Sequence, residues 1–367
     1  MSPDPRPDPR PGPRPGPPPA PAAFAIPGDL TTLTGGYIYE RRLLEGLRAR
    51  GHDVLHLQLP DSFPEAGPAD MAAARAQLAA VPPDRVLILD GFIFGAGEGL
   101  ETLRAPIVGM VHHPLALEEG LSAARRAHLR ATERANVARA AHILVPSPHT
   151  AEVLATQYGA DPAMVTVARP GVDRPSLPHA PETPPLILSV GLLHPRKGHD
   201  VLLEALATLR DLPWSAVIVG KRHDPDHADA LLQRRDALGL DDRVRFAGQV
   251  PQAELDRLYA RATVFALATR YEGYGMVFAE ALLRRLPIVA TTGGAVPDTV
   301  PERAGLLAPP GDAPAFAAAL RAVLSDADRR RALTDAAAAA GAALPTWTDT
   351  AEIAGRAIDR VAQRRGR

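Results

Sequence analysis

The sequence predicts an α/β protein of two Rossmann-like, doubly wound parallel-sheet domains facing a central cleft. Three observations carry this. Short continuous apolar runs alternate with helix-like stretches in both halves of the chain. A proline-rich segment ending at residue 185 interrupts the alternation once, after which it restarts. The chain has 367 residues, 46% of them hydrophobic, too many for one open-sheet domain and enough for two cores. Uninterrupted apolar strands separated by helices indicate a parallel sheet covered on both faces.

Taken in order, residues 1–23 repeat a Pro-rich theme that cannot bury a core, and read as an extended or disordered tail. An N-terminal domain over 24–170 follows. Its strands are expected at 23–27, 53–58, 86–89, 107–111, 142–146 and 164–167, with helices at 36–50, 69–80, 119–140 and 148–158. Residues 171–185 form the linker. The C-terminal domain, 186–345, has expected strands at 186–190, 215–219, 243–246, 263–267, 287–290 and 304–308. Its helices are expected near 198–210, 226–239, 252–260, 275–284, 313–324 and 327–342, and a last helix lies within 346–367. Ligands of open parallel sheets bind outside the carboxyl ends of the strands, so two such units suit a two-substrate reaction.

Composition excludes several function classes. The formal net charge is −1, so no global field draws the chain to nucleic acid. With no cysteine there is no disulfide, no Cys-ligated zinc and no thiol catalysis. No apolar run reaches bilayer length and no signal peptide opens the chain, so a cytoplasmic location is expected. Neither Thr34-Gly35-Gly36-Tyr37 nor Gly95-Ala96-Gly97-Glu98-Gly99 has the dinucleotide spacing, which leaves nicotinamide and flavin use unsupported.

Four constellations can carry chemistry. Tyr271-Glu272-Gly273-Tyr274-Gly275-Met276 follows a buried strand and opens a helix. Its glycines admit a ligand close to the backbone, and the helix start offers free N–H groups. Glu280 lies about two turns further on. Gly191-Leu192-Leu193-His194-Pro195-Arg196-Lys197-Gly198 joins a strand to a helix, and its Arg fork and Lys point charge suit a diphosphate. Gly35 and Gly36 open the first helix, and Val111-His112-His113-Pro114 ends a buried strand at the cleft. His223-Asp224-Pro225-Asp226-His227 offers metal-ligand types, but Asp and Pro also suit a helix start, and it reads as a capping loop.

In order and spacing these segments resemble the retaining family 4 glycosyltransferases of GT-B fold. The likeness is strongest over 186–312, including Phe246-Ala247-Gly248-Gln249-Val250, Pro287-Ile288-Val289-Ala290, Gly293-Gly294 and the run from Leu306 to Gly311. It is looser over Gly35-Gly36, Arg50 to Val54 and Arg169 to Asp173. The resemblance implies a metal-independent, hexosyltransferase-like enzyme that uses a UDP- or GDP-sugar as co-substrate and no cofactor. Arg196 and Lys197, beside Gly191, then hold the diphosphate. Glu272, with the backbone from Gly273 through Tyr274 and Gly275 to Met276, holds the sugar hydroxyls. Glu280 holds the ribose. Gly248 and Val250 lie by the base, and Gly35 and Gly36 approach the diphosphate and acceptor side. His112 contacts the sugar beside the reacting carbon, with His113 the second choice. The family often has an arginine where this chain has Leu192, which places more weight on Arg196 and Lys197.

The resemblance also implies a last helix that crosses back to the N-terminal domain. Arg125, Arg126, Arg130, Arg134 and Arg139 read as an ordinary exposed helix face, and peripheral membrane contact, known among relatives with lipid acceptors, is the alternative. The acceptor and the oligomeric state are not encoded in any of these motifs. Two other functions share the same motifs: a GT-B sugar-nucleotide epimerase or hydrolase, and a non-catalytic nucleotide-sugar-binding subunit.

Overall fold

The structure, a computed structural model, describes residues 18–175 and 177–365. The first unit contains strands β1 (Ala22–Pro27), β2 (Val54–Leu59), β3 (Val86–Leu89), β4 (Ile107–Met110), β5 (His142–Val145) and β6 (Val165–Val167). Its helices are α1 (Gly35–Ala49), α2 (Pro68–Ala79), α3 (Gly91–Ala96), α4 (Ala123–Arg139) and α5 (Pro148–Tyr158). The second unit contains β7 (Leu186–Val190), β8 (Ser215–Val219), β9 (Val244–Gly248), β10 (Val264–Leu267), β11 (Ile288–Thr291) and β12 (Gly305–Ala308). Its helices are α6 (His199–Ala207), α7 (Pro225–Ala237), α8 (Gln252–Arg261), α9 (Met276–Leu283), α10 (Val296–Thr299), α11 (Ala313–Ser325) and α12 (Ala327–Ala342). The helix α13 (Trp347–Arg365) follows.

The first sheet has the order β2-β1-β3-β4-β5-β6 and the second β12-β11-β10-β7-β8-β9. Every pairing between these strands is parallel. This is the two-domain Rossmann-like GT-B architecture.

Strand alternation divides each sheet's side chains between two cores. In the second unit Ile187, Ile218, Ala266 and Val289 face α6, α7 and α11, while Leu188, Val219, Phe265 and Ile288 face α8, α9 and α12. In the first, Leu87, Ile143 and Val145 face α2, α3 and α5. Phe24, Ile26, Ile88, Val108 and Leu144 face α1 and α13. Ala351, Ala354, Ala357, Ile358 and Val361 of α13 are therefore part of the first sheet's core although they follow the second sheet in the chain. The connecting segment is pinned at both ends: Val172 N–H donates to Pro345 O (3.1 Å), and Ala180 N–H donates to Ala260 O (2.8 Å).

Two expectations are corrected. Most of the expected tail lies outside the described residues, and its last residues are not tail: β1 begins at Ala22, and Ala22 and Ala23 lose all exposure between neighbouring strands. The helix expected at 119–140 starts only at Ala123, because Gly120 has φ +81° and Ser122 caps the start by accepting from Arg125 N–H (3.2 Å). The sequence reading places no element at 91–96, where α3 lies. Asp90 caps it, accepting from Phe92 N–H at 2.8 Å, and that Asp before Gly-Phe was the available signal. No helix among the described residues is long and apolar enough to cross a membrane.

The α1–α13 contact gives a stability test. A Cβ added at Gly46 would lie 2.6 Å from Ala351 Cβ. Gly46→Val gains helix propensity, but overpacking costs more, and a net loss of about 2 kcal/mol is expected in urea unfolding with the m-value unchanged.

Candidate functional site

The basic loop leaves the carboxyl end of β7, and the glycine-rich loop leaves that of β10, its neighbour in the sheet. Two glycines allow them to meet. Gly198 has φ +64°, and a Cβ there would lie 1.9 Å from Ala268 O. Gly275, at φ +82°, is the N-cap of α9. Between them the charges converge. Lys197 Nζ is 2.6 Å from Glu272 Oε1, and Arg196 Nη1 is 3.5 Å from Glu272 Oε2. Thr269 Oγ1 also donates to Glu272 Oε1 (3.0 Å), and Arg196 Nη1 donates to Tyr271 O (2.9 Å). Burial alone raises the Glu272 pKa, but the charges of Lys197 and Arg196 outweigh it and hold the group below the ordinary range. Burial also lowers the Lys197 pKa, against the pull of Glu272. Gly191 lies against the Lys197 stem, its notional Cβ 3.3 Å from Lys197 Cδ.

Glu280 sits on the face of α9 shared with Met276, one turn earlier, and accepts from Tyr259 Oη at 2.9 Å. Burial raises its pKa. Tyr274 O accepts from Thr299 Oγ1 (2.6 Å), which fixes the loop before the helix. Gly248 ends β9, and Val250 packs against the same core cluster as Val190 and Val277. No hydrogen bond or ion pair among the described residues joins these two to the charged group.

The first unit meets this wall directly. A Cβ on Gly273 would fall 2.1 Å from His112 O, so the two loops touch backbone to backbone. Notional Cβ atoms at Gly36 and Gly35 lie 3.6 Å from His112 Nε2 and 3.7 Å from Met276 Sδ. Thr150 Oγ1 donates to Gly273 O (3.3 Å), and His149 N–H donates to Asp298 Oδ2 (2.7 Å). The sequence-predicted residues thus converge as one group around Arg196, Lys197, Glu272, Gly273 and His112, with Gly35, Gly36 and Met276 beside it. Glu280 stands further along α9, and Gly248 and Val250 stand apart.

Several participants carried no sequence signal. Glu118 follows a single 3-10 turn (Leu115–Leu117) after His113. It bonds His113 Nε2 at 2.6 Å and reaches across to Arg196 Nε at 3.5 Å. Burial raises its pKa, but His113, Arg196 and His194 together bring it down to about 2. Glu40 and Asp90, from α1 and the end of β3, are 1% and 4% exposed. His112 Nε2 lies 3.1 Å from Glu40 Oε1. Burial pushes Glu40 up to about 7, and burial with the Glu40 charge pushes Asp90 well above its usual value. Glu40, Asp90 and His112 place ligand-type atoms within 4.8 Å of one another, the spacing a divalent ion needs. Both carboxyls are pushed toward their neutral forms, which relieves the repulsion between them. At 223–227, Asp224 accepts from His227 N–H (3.0 Å) as the N-cap of α7, with Pro225 opening the helix. A separate cavity of about 470 Å³, lined by Leu103, Arg139 and Arg364 among others, lies toward the amino ends of β4–β6, the wrong end of the sheet for the cleft ligand.

Comparisons with known proteins agree with this fold. Residues 33–174 match the family described as Glycosyltransferase Family 4, and residues 176–340 match Glycosyl transferases group 1. The chain is 35% identical over 241 residues to D-inositol 3-phosphate glycosyltransferase of Kineococcus radiotolerans, covering 56% of this chain and 55% of that protein. It is 36% identical over 242 residues to the protein of the same description from a Nocardioides species, covering 59% of this chain and 53% of the other. The chain thus spans about half the length of the curated relatives it matches. In structure it resembles sucrose-phosphate synthase from Thermosynechococcus elongatus, with TM-score 0.77, 24% identity, and 92% and 98% of the two chains covered. It also resembles Anabaena HepE in complex with UDP and glucose, with TM-score 0.73, 18% identity, and 92% and 99% covered.

The depressed Glu118 pKa gives a pH test. Its folded value of about 2 lies below the ordinary 4.5, so the stability it contributes is complete above about pH 4.5 and lost as pH falls toward about 2. Across that window the unfolding free energy of the native protein should fall more steeply than that of Glu118→Gln. Parallel curves would rule this contribution out.

Proposed function

We propose that this chain, which resembles the family 4 glycosyltransferases of GT-B fold over both of its domains, transfers a hexosyl group from a UDP- or GDP-sugar to an acceptor hydroxyl with retention of configuration. The observation that carries this reading is the joining of Arg196, Lys197 and Glu272 at the start of α9, opposite His112. One wall then offers cations and helix N–H groups for a diphosphate, and a carboxylate for sugar hydroxyls. Support also comes from the relatives described as D-inositol 3-phosphate glycosyltransferase and from the structural neighbour holding UDP and glucose.

In the reaction, the bond between the anomeric carbon and the diphosphate oxygen breaks, and its electron pair leaves with the diphosphate. The acceptor oxygen bonds that carbon on the same face, and its proton passes to a departing phosphate oxygen. Arg196 and Lys197 stabilise the charge that develops on the leaving group, and no divalent metal is written into the step. Glu272 and the backbone from Gly273 to Met276 orient the sugar, and His112 faces the reacting carbon. Glu280 takes the ribose, and Gly248 and Val250 flank the base. Gly191 keeps the Lys197 stem close, and Gly35 and Gly36 leave room on the acceptor side. Closure of the two units around the donor excludes water.

Ligand-dependent stabilisation tests this without knowledge of the acceptor. UDP, GDP or ADP at about a hundred times its Kd should raise the unfolding free energy by about 2.7 kcal/mol. Lys197→Ala should weaken the best of them at least about tenfold, the scale of one charge-assisted contact. Glu272→Ala should remove the preference for the sugar nucleotide over the bare diphosphate. Stabilisation by none of the three would sink the reading.

A further inference from the structure

The charges at the basic loop cancel. Arg196 and Lys197 face Glu272 and Glu118, two cations against two carboxylates. The next cation, Arg270, is already matched by Asp200 through bonds of 3.1 and 2.7 Å. Arg196 is clamped on two edges, Nε toward Glu118 and Nη1 toward Tyr271 O and Glu272. Its Nε is buried and has no hydrogen bond, so the 3.5 Å approach of Glu118 Oε2 is a purely ionic contact. A diphosphate arriving here meets a neutral cluster, not a cationic one.

The two carboxylates differ in how they can withdraw. Glu272 is 6% exposed, bonded by Lys197 and Thr269, and its backbone oxygen accepts from Ala295 N–H at 2.7 Å. It belongs to the same unit as the cations it faces. Glu118 is on the opposite unit, in a loop after β4, and retains His113 at 2.6 Å when Arg196 is taken away. Separation of the two units therefore removes one negative charge from the basic loop and leaves Glu118 hydrogen-bonded.

We propose that Glu118 is the residue that sets diphosphate affinity through Arg196: it faces that guanidinium from the opposite unit, competes with phosphate for it, and withdraws when the units part. This rests on the reading of the basic loop as a diphosphate site. Opening unmasks the cation for the incoming donor. Glu118 acts through Arg196 and is not itself assigned to the reacting atoms.

The test is calorimetric titration of the full chain with UDP, pyrophosphate and uridine. Glu118→Gln, which keeps a polar partner for His113 but no charge, should bind UDP and pyrophosphate about tenfold more tightly than the native protein. Uridine affinity should stay within about twofold, since uridine lacks the charge on which the effect depends. Glu118→Asp, which keeps the charge, should not reproduce the gain, and Glu118→Ser should. In an Arg196→Ala background the gain from Glu118→Gln should shrink to under about threefold, as coupled neighbours require. Unchanged or weaker UDP binding in Glu118→Gln, an equal change for uridine, or an undiminished gain without Arg196 overturns this proposal and leaves the donor-site reading standing. A native protein that binds neither UDP nor pyrophosphate overturns both.

Discussion

The buried contact between Lys197 and Glu272 is the constraint around which the second unit's working edge is arranged. Neither group can be removed from water alone without a large desolvation cost, and the pair is tolerated only because further bonds satisfy it. Thr269 supplies one bond to Glu272 and Tyr271 O anchors the neighbouring arginine. The consequence is geometric: the loop after β7 cannot move without the loop after β10. Positions 75 residues apart in sequence are held as one surface. Replacement of either partner by an apolar residue would strand the other charge, which is why this contact defines the wall and does not merely decorate it.

The opposite wall follows from a different constraint, the carboxyl pair behind His112. Among the described residues no arginine or lysine pairs with Glu40 or Asp90, and both are buried. The bond from Phe92 N–H to Asp90 (2.8 Å), the imidazole 3.1 Å from Glu40 and the upward shift of both carboxyls toward the neutral form make that burial tolerable. The cleft is therefore asymmetric: one side is ionic and internally neutralised, and the other carries carboxyls pushed toward their neutral forms. Gly273 brings the two within backbone contact, since any side chain there would occupy the space of His112 O.

Much of the fold was legible because parallel sheets write themselves as apolar runs. β3, β7, β8, α5 and α12 have the bounds that periodicity assigns them. Legibility failed where a single residue overrode periodicity. Gly120 breaks the apparent helix before α4, and Asp90 caps a helix too short to show a period. At the site, the motif residues were readable because each sits at a strand end or helix start. The spatial partners were not. Glu118, Glu40 and Tyr259 come from ordinary stretches of loop or helix, and only tertiary folding brings them to Arg196, His112 and Glu280.

The placement of α13 has a consequence for biosynthesis. One face of the first sheet, with Phe24, Ile26, Ile88 and Val108, is covered in part by Ala351, Ala354 and Ile358. On the ribosome, that sheet's strands are all translated long before their cover exists. The nascent first unit must wait, partly uncovered and sticky, while the second unit is synthesised and folds. The later unit is thus expected to reach its native form first, reversing the usual N-to-C order, and chaperone demand should peak in the interval before residue 350 leaves the exit tunnel.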